Sequence, residues 1–491
     1  MKCYINGILH SMKDEKHIYH QMATDQGKII AFDQEVNVSL CDEVIDLNHG
    51  HLYPGFVDAH LHMIGYGEYL SMIHLSGLTS KESIINELLN YKNQHFLMGL
   101  GYLDVGISKD DLDHYFKEQV VLLRHNDYHS LTLNSKALEM FNVNNETGVL
   151  KEERATHVMK LLPKHSFNEL KHMLEKSVKQ LYAYGITGGH TDDLFYYNGF
   201  EETYHVFEEV MEKYPFRSHL LMHHEVIHDF IRSKKNWGIQ TPYLELGSVK
   251  MFYDGTMSSK TALMSKPYLD TEDKGEVVMG KEKFTKTLKN VRKLGLTVAI
   301  HVIGDLGLDE VVDLLITYPP KDGQKDRIIH APWAMKETLH KMVNLPVTFD
   351  IQPQFLASDL PRAFHIFSEY PDLIFPWKTY LDHHLILSGS SDAPVESPNP
   401  LLGIKDAIFR RSASDQKQYV ENESLSHYEA IKLYTTGSHQ PSLLQPRGYL
   451  EKGYLADFTV FDANLFELKE DQFYQTKVVM TIIDDKIVYK G

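Results

Sequence analysis

Residues 54–63 read PGFVDAHLHM, an apolar run that ends on two histidines, His60 and His62. A short apolar run closed by polar residues reads as a buried strand, and side chains two apart on a strand leave the same face. Two imidazoles so placed can meet on one cation at about 2.0–2.1 Å. In a chain with 29 histidines, however, an isolated His-x-His is as readily a strand cap beside a solvated ring. The pattern farther along the chain decides between them.

Strand-like runs recur at 55–59, 186–190, 218–222, 248–252, 297–301, 327–330, 347–351 and 385–389. Helical segments such as 202–213, 284–294, 308–317 and 336–343 fall between the later ones. Strands alternating with helices form a parallel sheet, and eight such units predict an α/β fold, the (β/α)8 TIM barrel. His301 in TVAIHVIGD ends the fifth run and His330 in DRIIHAPWA ends the sixth. Lys250 lies in the fourth, within GSVKMFYDG, and Asp392 follows the eighth, within SGSSDAPVESPNP. A parallel barrel carries all its strand C-termini on one rim, where active sites are built. His60, His62, Lys250, His301, His330 and Asp392 are therefore expected around one mouth.

The connection after the first strand exceeds 120 residues and holds strand-like pieces at 96–100 and 120–123 and a helix at 167–184. So long a segment is not a bare loop, and it predicts a subdomain inserted at about 65–180 near the barrel mouth. Both chain ends read as short strands and turns. At the start these are 3–5, a turn at Asn6-Gly7, 18–23, a turn at 25–27, 28–32 and 43–47; at the end, 458–461, 478–483 and 487–489. This is hairpin chemistry, and neither end has enough strands to be stable alone. The expectation is one small β-sandwich domain built from 1–53 and 441–491, flanking a barrel at 54–440.

Composition bounds the partners. Fifty Lys and Arg against 67 Asp and Glu give a net charge of −17, which argues against nucleic acid and anionic lipid. No run of about 18 apolar residues exists to span a membrane, and no secretory signal is read in MKCYINGILH. Two cysteines, Cys3 and Cys41, are too few for a disulfide framework or a zinc finger. A cytoplasmic protein acting on a small molecule is expected. Its oligomeric state is not readable, and a homodimer stays open. No GxGxxG after a strand, no GxxxxGK[ST] and no GxSxG occurs.

The six rim residues, in this order, resemble the amidohydrolase superfamily of metal-dependent hydrolases. Within it the chain is more similar to the family 3 type branch that includes N-substituted formamide deformylase. RHNDYHSLTLNSKAL (124–138), VKMFYDGTMSSKTAL (249–263), PYLDTEDKG (267–275), QPQFLASD (352–359) and GYLADFTVFD (453–462) look like that branch. Two features depart from it: Ile329 stands where an acidic residue is usual, and His190 is an additional histidine at the end of the second strand.

The resemblance implies a binuclear centre, with His60, His62 and Asp392 on one ion, His301 and His330 on the other, and a carbamate on Lys250 bridging them. A mononuclear site with Lys250 as a hydrogen-bond donor is the competing arrangement. Zinc suits the imidazole-rich set, and manganese, iron or cobalt fit nearly as well. The implied reaction is hydrolysis of a non-peptide C–N bond, amide or formamide-like, by metal-activated hydroxide, with Asp392 as general base and then general acid. Arg124 and His129, in the insertion, and His190, Asp254 and Gln352, at strand ends, are the candidate substrate contacts. The same chemistry could open a lactone or cyclic imide, deaminate a heterocycle or cleave a phosphoester. A non-catalytic binding or regulatory barrel would be expected to have lost ligands, and none is missing.

Overall fold

Strands that are apolar and buried on both faces form the centre of the fold. They are β1 (Phe56–Leu61), β2 (Ile186–Thr191), β3 (Arg217–His223), β4 (Leu244–Phe252), β5 (Val298–Val302), β6 (Asp326–His330), β7 (Val347–Ile351) and β8 (Ile386–Gly389). Each pairs parallel with the next in chain order. Just past β8 the chain returns to β1: the Asp392 amide donates to the His60 carbonyl and the His62 amide to the Ala393 carbonyl, both at 2.8 Å. Together the eight make a (β/α)8 barrel, on the runs that the sequence marked. Helices Phe200–Lys213, Lys281–Lys293, Asp305–Thr317 and Lys336–Met342 lie between strands. Phe200, Tyr204, Phe207 and Met211 show why the first of these packs as it does: spaced three and four apart, they bury one stripe.

The computed structural model describes residues 1–126 and 130–491. They divide into two units, Met1–Tyr66 with Phe167–Gly491, and Gly67–Ser166. In the first unit, strands from both chain ends build two further sheets. One has four strands, Lys28–Phe32, Met22–Asp25, Lys2–Ile5 and Glu43–Asp46. The other has six, Lys486–Lys490, Val478–Ile483, Phe458–Phe461, His51–Pro54, Ile8–His10 and Ile18–Tyr19. They share one apolar cluster that includes Tyr4, Met22, Ile29, Leu52, Phe458 and Ile482. Asn6-Gly7 does not close a hairpin. Asn6 turns with φ 57° and passes the chain from the four-stranded sheet into the six-stranded one. The span 18–23 likewise splits between the two sheets. Cys3 and Cys41, too few for a framework, nonetheless form one disulfide beside the first strand. The buried Arg217 of β3 grips Asp457 with two hydrogen bonds, at 3.0 and 2.9 Å, fixing the barrel to the sheet that follows.

The second unit carries a five-stranded sheet, ordered Val149–Lys151, Ser130–Leu133, Val120–His125, Phe96–Tyr102 and Ile73–His74. Alternation gives it two covered faces: Val121 and Leu123 enter one apolar cluster, and Leu122 enters another.

Candidate functional site

Two of the six rim residues lie where the backbone is sharply bent. His330, Ala331 and Asp392 hold left-handed φ of 78°, 44° and 56°. Non-glycine residues there cost of order 1–3 kcal/mol each, a cost that surrounding structure must impose. Asp58, buried in β1, supplies part of that constraint. Its carboxylate accepts from the amides of His60 (3.1 Å) and Ser391 (3.2 Å) and from the Ser391 hydroxyl (2.5 Å), which ties both ends of the barrel seam together.

His60 Nε2 and His62 Nε2 converge on Asp392 Oδ1, at 3.4 and 3.5 Å. One atom from each of the three residues lies within 4.8 Å of the other two, the spacing of a metal-ligand cluster. Burial drives the His60 ring well below the usual histidine range, helped by the Lys250 charge, so it is a neutral lone-pair donor. Burial pushes His62 down as well, but the Asp392 hydrogen bond and charge outweigh it and raise this ring. Asp392 answers in kind: burial would raise it, yet His62 and His330 hold it below the ordinary carboxylate value.

His301 and His330 complete the ring of imidazoles, 4.6 Å apart between centroids, with His330 5.9 Å from His60. Their hydrogen bonds fix which nitrogen is free. His301 Nε2 lies 3.1 Å from the Gly255 carbonyl, which can only accept, so Nε2 donates and Nδ1 keeps the lone pair. His330 Nδ1 lies 2.7 Å from Gln352 Oε1, while Gln352 Nε2 donates to the Asp350 carbonyl (3.0 Å) and to Ser390 Oγ (2.8 Å). Those donations orient the amide, so His330 Nδ1 donates and Nε2 is free. Burial lowers His330 to about 4, and His301 falls well below its usual value for the same reason.

Lys250 is buried, with Nζ 3.1 Å from His60 Nε2 and 3.8 Å from Asp192 Oδ2. Burial lowers its pKa even though Asp192 and Asp392 pull it upward. Asp192 is the residue that sequence reasoning missed. It follows β2, is wholly buried, accepts from the Tyr196 hydroxyl at 3.3 Å, and its Oδ1 has no hydrogen-bond partner among the described residues. The strand-end rule could have found it, but the adjacent Asp193 is chemically identical. Only the fold separates them: Asp193 accepts from the Ile64 amide (2.9 Å) and Thr191 Oγ1 (2.6 Å) and secures the turn after His62.

The five expected substrate contacts fare differently. His190 stands apart from the rim histidines: its ring packs 4.5 Å from His219 in the barrel interior, its charged form disfavoured by burial. Asp254 is occupied by its own loops, accepting from the amides of Leu263 (2.8 Å), Ile303 (2.9 Å) and Gly304 (2.8 Å). Gln352 touches a rim histidine and sets its tautomer. Arg124 belongs to strand Val120–His125 of the second unit, and His129 lies outside the described residues.

The chain is similar to several known proteins. A family model described as "Amidohydrolase family" matches residues 43–489. The Bacillus subtilis protein YtcJ is 35% identical over 482 residues, 91% of this chain and 90% of that one. The N-substituted formamide deformylase of Arthrobacter pascens is 23% identical over 204 residues, 40% of this chain and 37% of that one. Among solved structures, an uncharacterized metal-dependent hydrolase from Pyrococcus horikoshii superposes with a TM-score of 0.82 at 25% identity, covering 96% of this chain and 99% of the other.

Proposed function

The chain belongs to the amidohydrolase family, and from that premise we propose that it hydrolyses a non-peptide C–N bond, amide or formamide-like, with a divalent metal held at the barrel rim. The observation that carries the reading is the convergence of His60, His62 and Asp392 within 4.8 Å, beside two further imidazoles whose free nitrogens are defined by their partners. Imidazole nitrogens and an ionised carboxylate are the donor set that zinc prefers, so these residues fit the ion; manganese, iron and cobalt compete for the same set. His60, His62 and Asp392 would hold one ion, and His301 and His330 a second. Lys250, driven toward its neutral amine by burial, would be able to add carbon dioxide as a carbamate with release of a proton, giving the ions an oxygen donor. A divalent ion in this set supplies Lewis acidity, which makes water acidic near neutrality and polarises a carbonyl.

The chain's own groups do the remaining work. Asp392 takes the proton of the attacking water on a carboxylate oxygen and delivers it to the departing nitrogen, base first and acid second. Asp58 and the seam hydrogen bonds hold that carboxylate against the two histidines while it exchanges the proton. Gln352 keeps the His330 proton on Nδ1, away from the rim. We place the protein in the cytoplasm, acting on a small molecule; no helix among the described residues is long and apolar enough to cross a membrane.

The test is hydrolysis by metal-loaded protein across N-formyl amines, N-acyl amino acids, lactones and phosphotriesters, with metal content measured on the same sample. Turnover of the amides above the esters is the expected result. Activity confined to lactones or phosphotriesters, or a fully folded protein that takes up no metal, would remove the reading.

A further inference from the structure

Two large aromatic rings stand exposed at the rim. Phe195 and Tyr196, in the loop after β2, are 41% and 45% accessible, where rings of this size are ordinarily covered. Neither is loose. The Tyr196 hydroxyl donates to Asp192 at 3.3 Å, and its ring meets His62 edge-on at 5.5 Å. Phe195 lies flat on His223, 4.2 Å away with an interplanar angle of 11°, and His223 is itself fixed because its Nδ1 accepts the Glu225 amide at 3.2 Å. The row continues inward: His223 meets Phe252 at 5.6 Å, and Phe252 meets His301 at 5.2 Å. A continuous aromatic wall thus runs from one rim histidine to another, with its outermost rings partly uncovered.

We propose that this wall is the substrate's recognition surface, and that the substrate carries a planar aromatic group close to its scissile bond, stacked on Phe195 and edge-on to Tyr196. The inference rests on the amide-hydrolase reading above and deepens it by naming the substituent. Flat rings pinned on one side and open on the other discriminate by shape: an aromatic ring gains offset-stacked or edge contacts that a puckered ring of equal size cannot. Mere apolarity would not make that distinction.

The experiment uses metal-loaded full-length protein and three amides that share one scissile group and differ in carrying a phenyl, cyclohexyl or n-hexyl substituent. The expected kcat/KM for the phenyl amide exceeds that for the cyclohexyl amide by about 3- to 10-fold, the size of one stacked ring pair. In Phe195→Leu, which keeps apolar volume but loses the plane, the ratio should fall toward one through a rise in KM for the phenyl compound alone. Phe195→Tyr should restore it. Metal content equal to wild type shows that Phe195→Leu has folded, and Phe195→Met serves as the second variant if it has not. A wild-type ratio near one, or an unchanged ratio in Phe195→Leu or Phe195→Met, overturns the proposal while leaving the hydrolase reading in place. Failure of the wild type to turn over any of the three removes that reading, and this proposal with it.

Discussion

Histidines at the barrel rim and histidines in the barrel interior look alike in the sequence and behave differently in the fold. His60, His301 and His330 are buried, and so are His190, His219 and His439. At the rim, His60 and His62 converge on Asp392, and the His330 ring stands 5.9 Å from His60 and 4.6 Å from His301. In the interior the rings serve structure: His219 Nδ1 sits 2.6 Å from Glu245, and His439 Nε2 donates to the Gly55 carbonyl at 3.1 Å. Burial alone therefore does not mark a ligand. Nor does a free nitrogen, since His219 Nε2 and His439 Nδ1 have no hydrogen-bond partner among the described residues; what sets His60 apart is that its ring meets His62 and Asp392 at one point.

The sharpest way to break the comparison is at Asp392. Asp392→Asn keeps a side chain of the same shape but cannot take the water's proton, so kcat should fall by about 10²–10⁴-fold with metal retained. Steady-state kinetics alongside metal analysis would show it, and near wild-type turnover would defeat the assignment. Next comes the exchange of one histidine from each group. His301→Asn should lower bound metal, whereas His219→Leu should leave metal content unchanged and destabilise the fold. The loss expected in the second case is about 1–3 kcal/mol, because the buried Glu245 carboxylate loses the His219 hydrogen bond and keeps the Leu443 amide. Denaturant unfolding and metal content on both variants decide the matter, and a loss of metal in His219→Leu would erase the distinction between rim and interior. A smaller effect is expected at Gln352. Gln352→Leu frees the His330 tautomer, and metal affinity should weaken about 10- to 100-fold, measured by competition with a chelator.

A further effect is in pH. Burial works to raise Glu245, but His219 overrides it and holds the carboxyl at about 2, against an ordinary 4.5. A carboxyl with a depressed folded-state value stabilises the fold fully above its unfolded value and ceases to do so as pH falls through the folded one. Stability should therefore decline between about pH 4.5 and 2, and Glu245→Gln should flatten that part of the curve. An unchanged acid limb in the variant would place the sensitivity elsewhere.

Much of this was legible in the sequence because chemistry and periodicity coincide there. Each barrel strand is an apolar run, and the four rim histidines, Lys250 and Asp392 fall in or beside those runs, so the barrel and its rim residues read together. What stayed hidden depends on direction rather than residue type. Asp192 and Asp193 are the same residue in adjacent positions, and only one approaches Lys250. His190 ends a strand as His301 does, yet packs on His219. Asp254 looked free because the three amides that claim it come from later loops. The turn at Asn6-Gly7 has hairpin composition, but its flanking strands find better partners in two different sheets, the first with Met22–Asp25 and the second with His51–Pro54.

The bonds that join Asp392 to His60 and His62 to Ala393 bring the last joint of the ring and the meeting of these three side chains to one place. Ser391 and Asp58, which clasp beside them, are 333 positions apart. A nascent chain halted before the eighth strand would own both leading histidines but not the carboxylate on which they converge. The three-residue cluster is therefore complete only where the first and last strands of the ring meet.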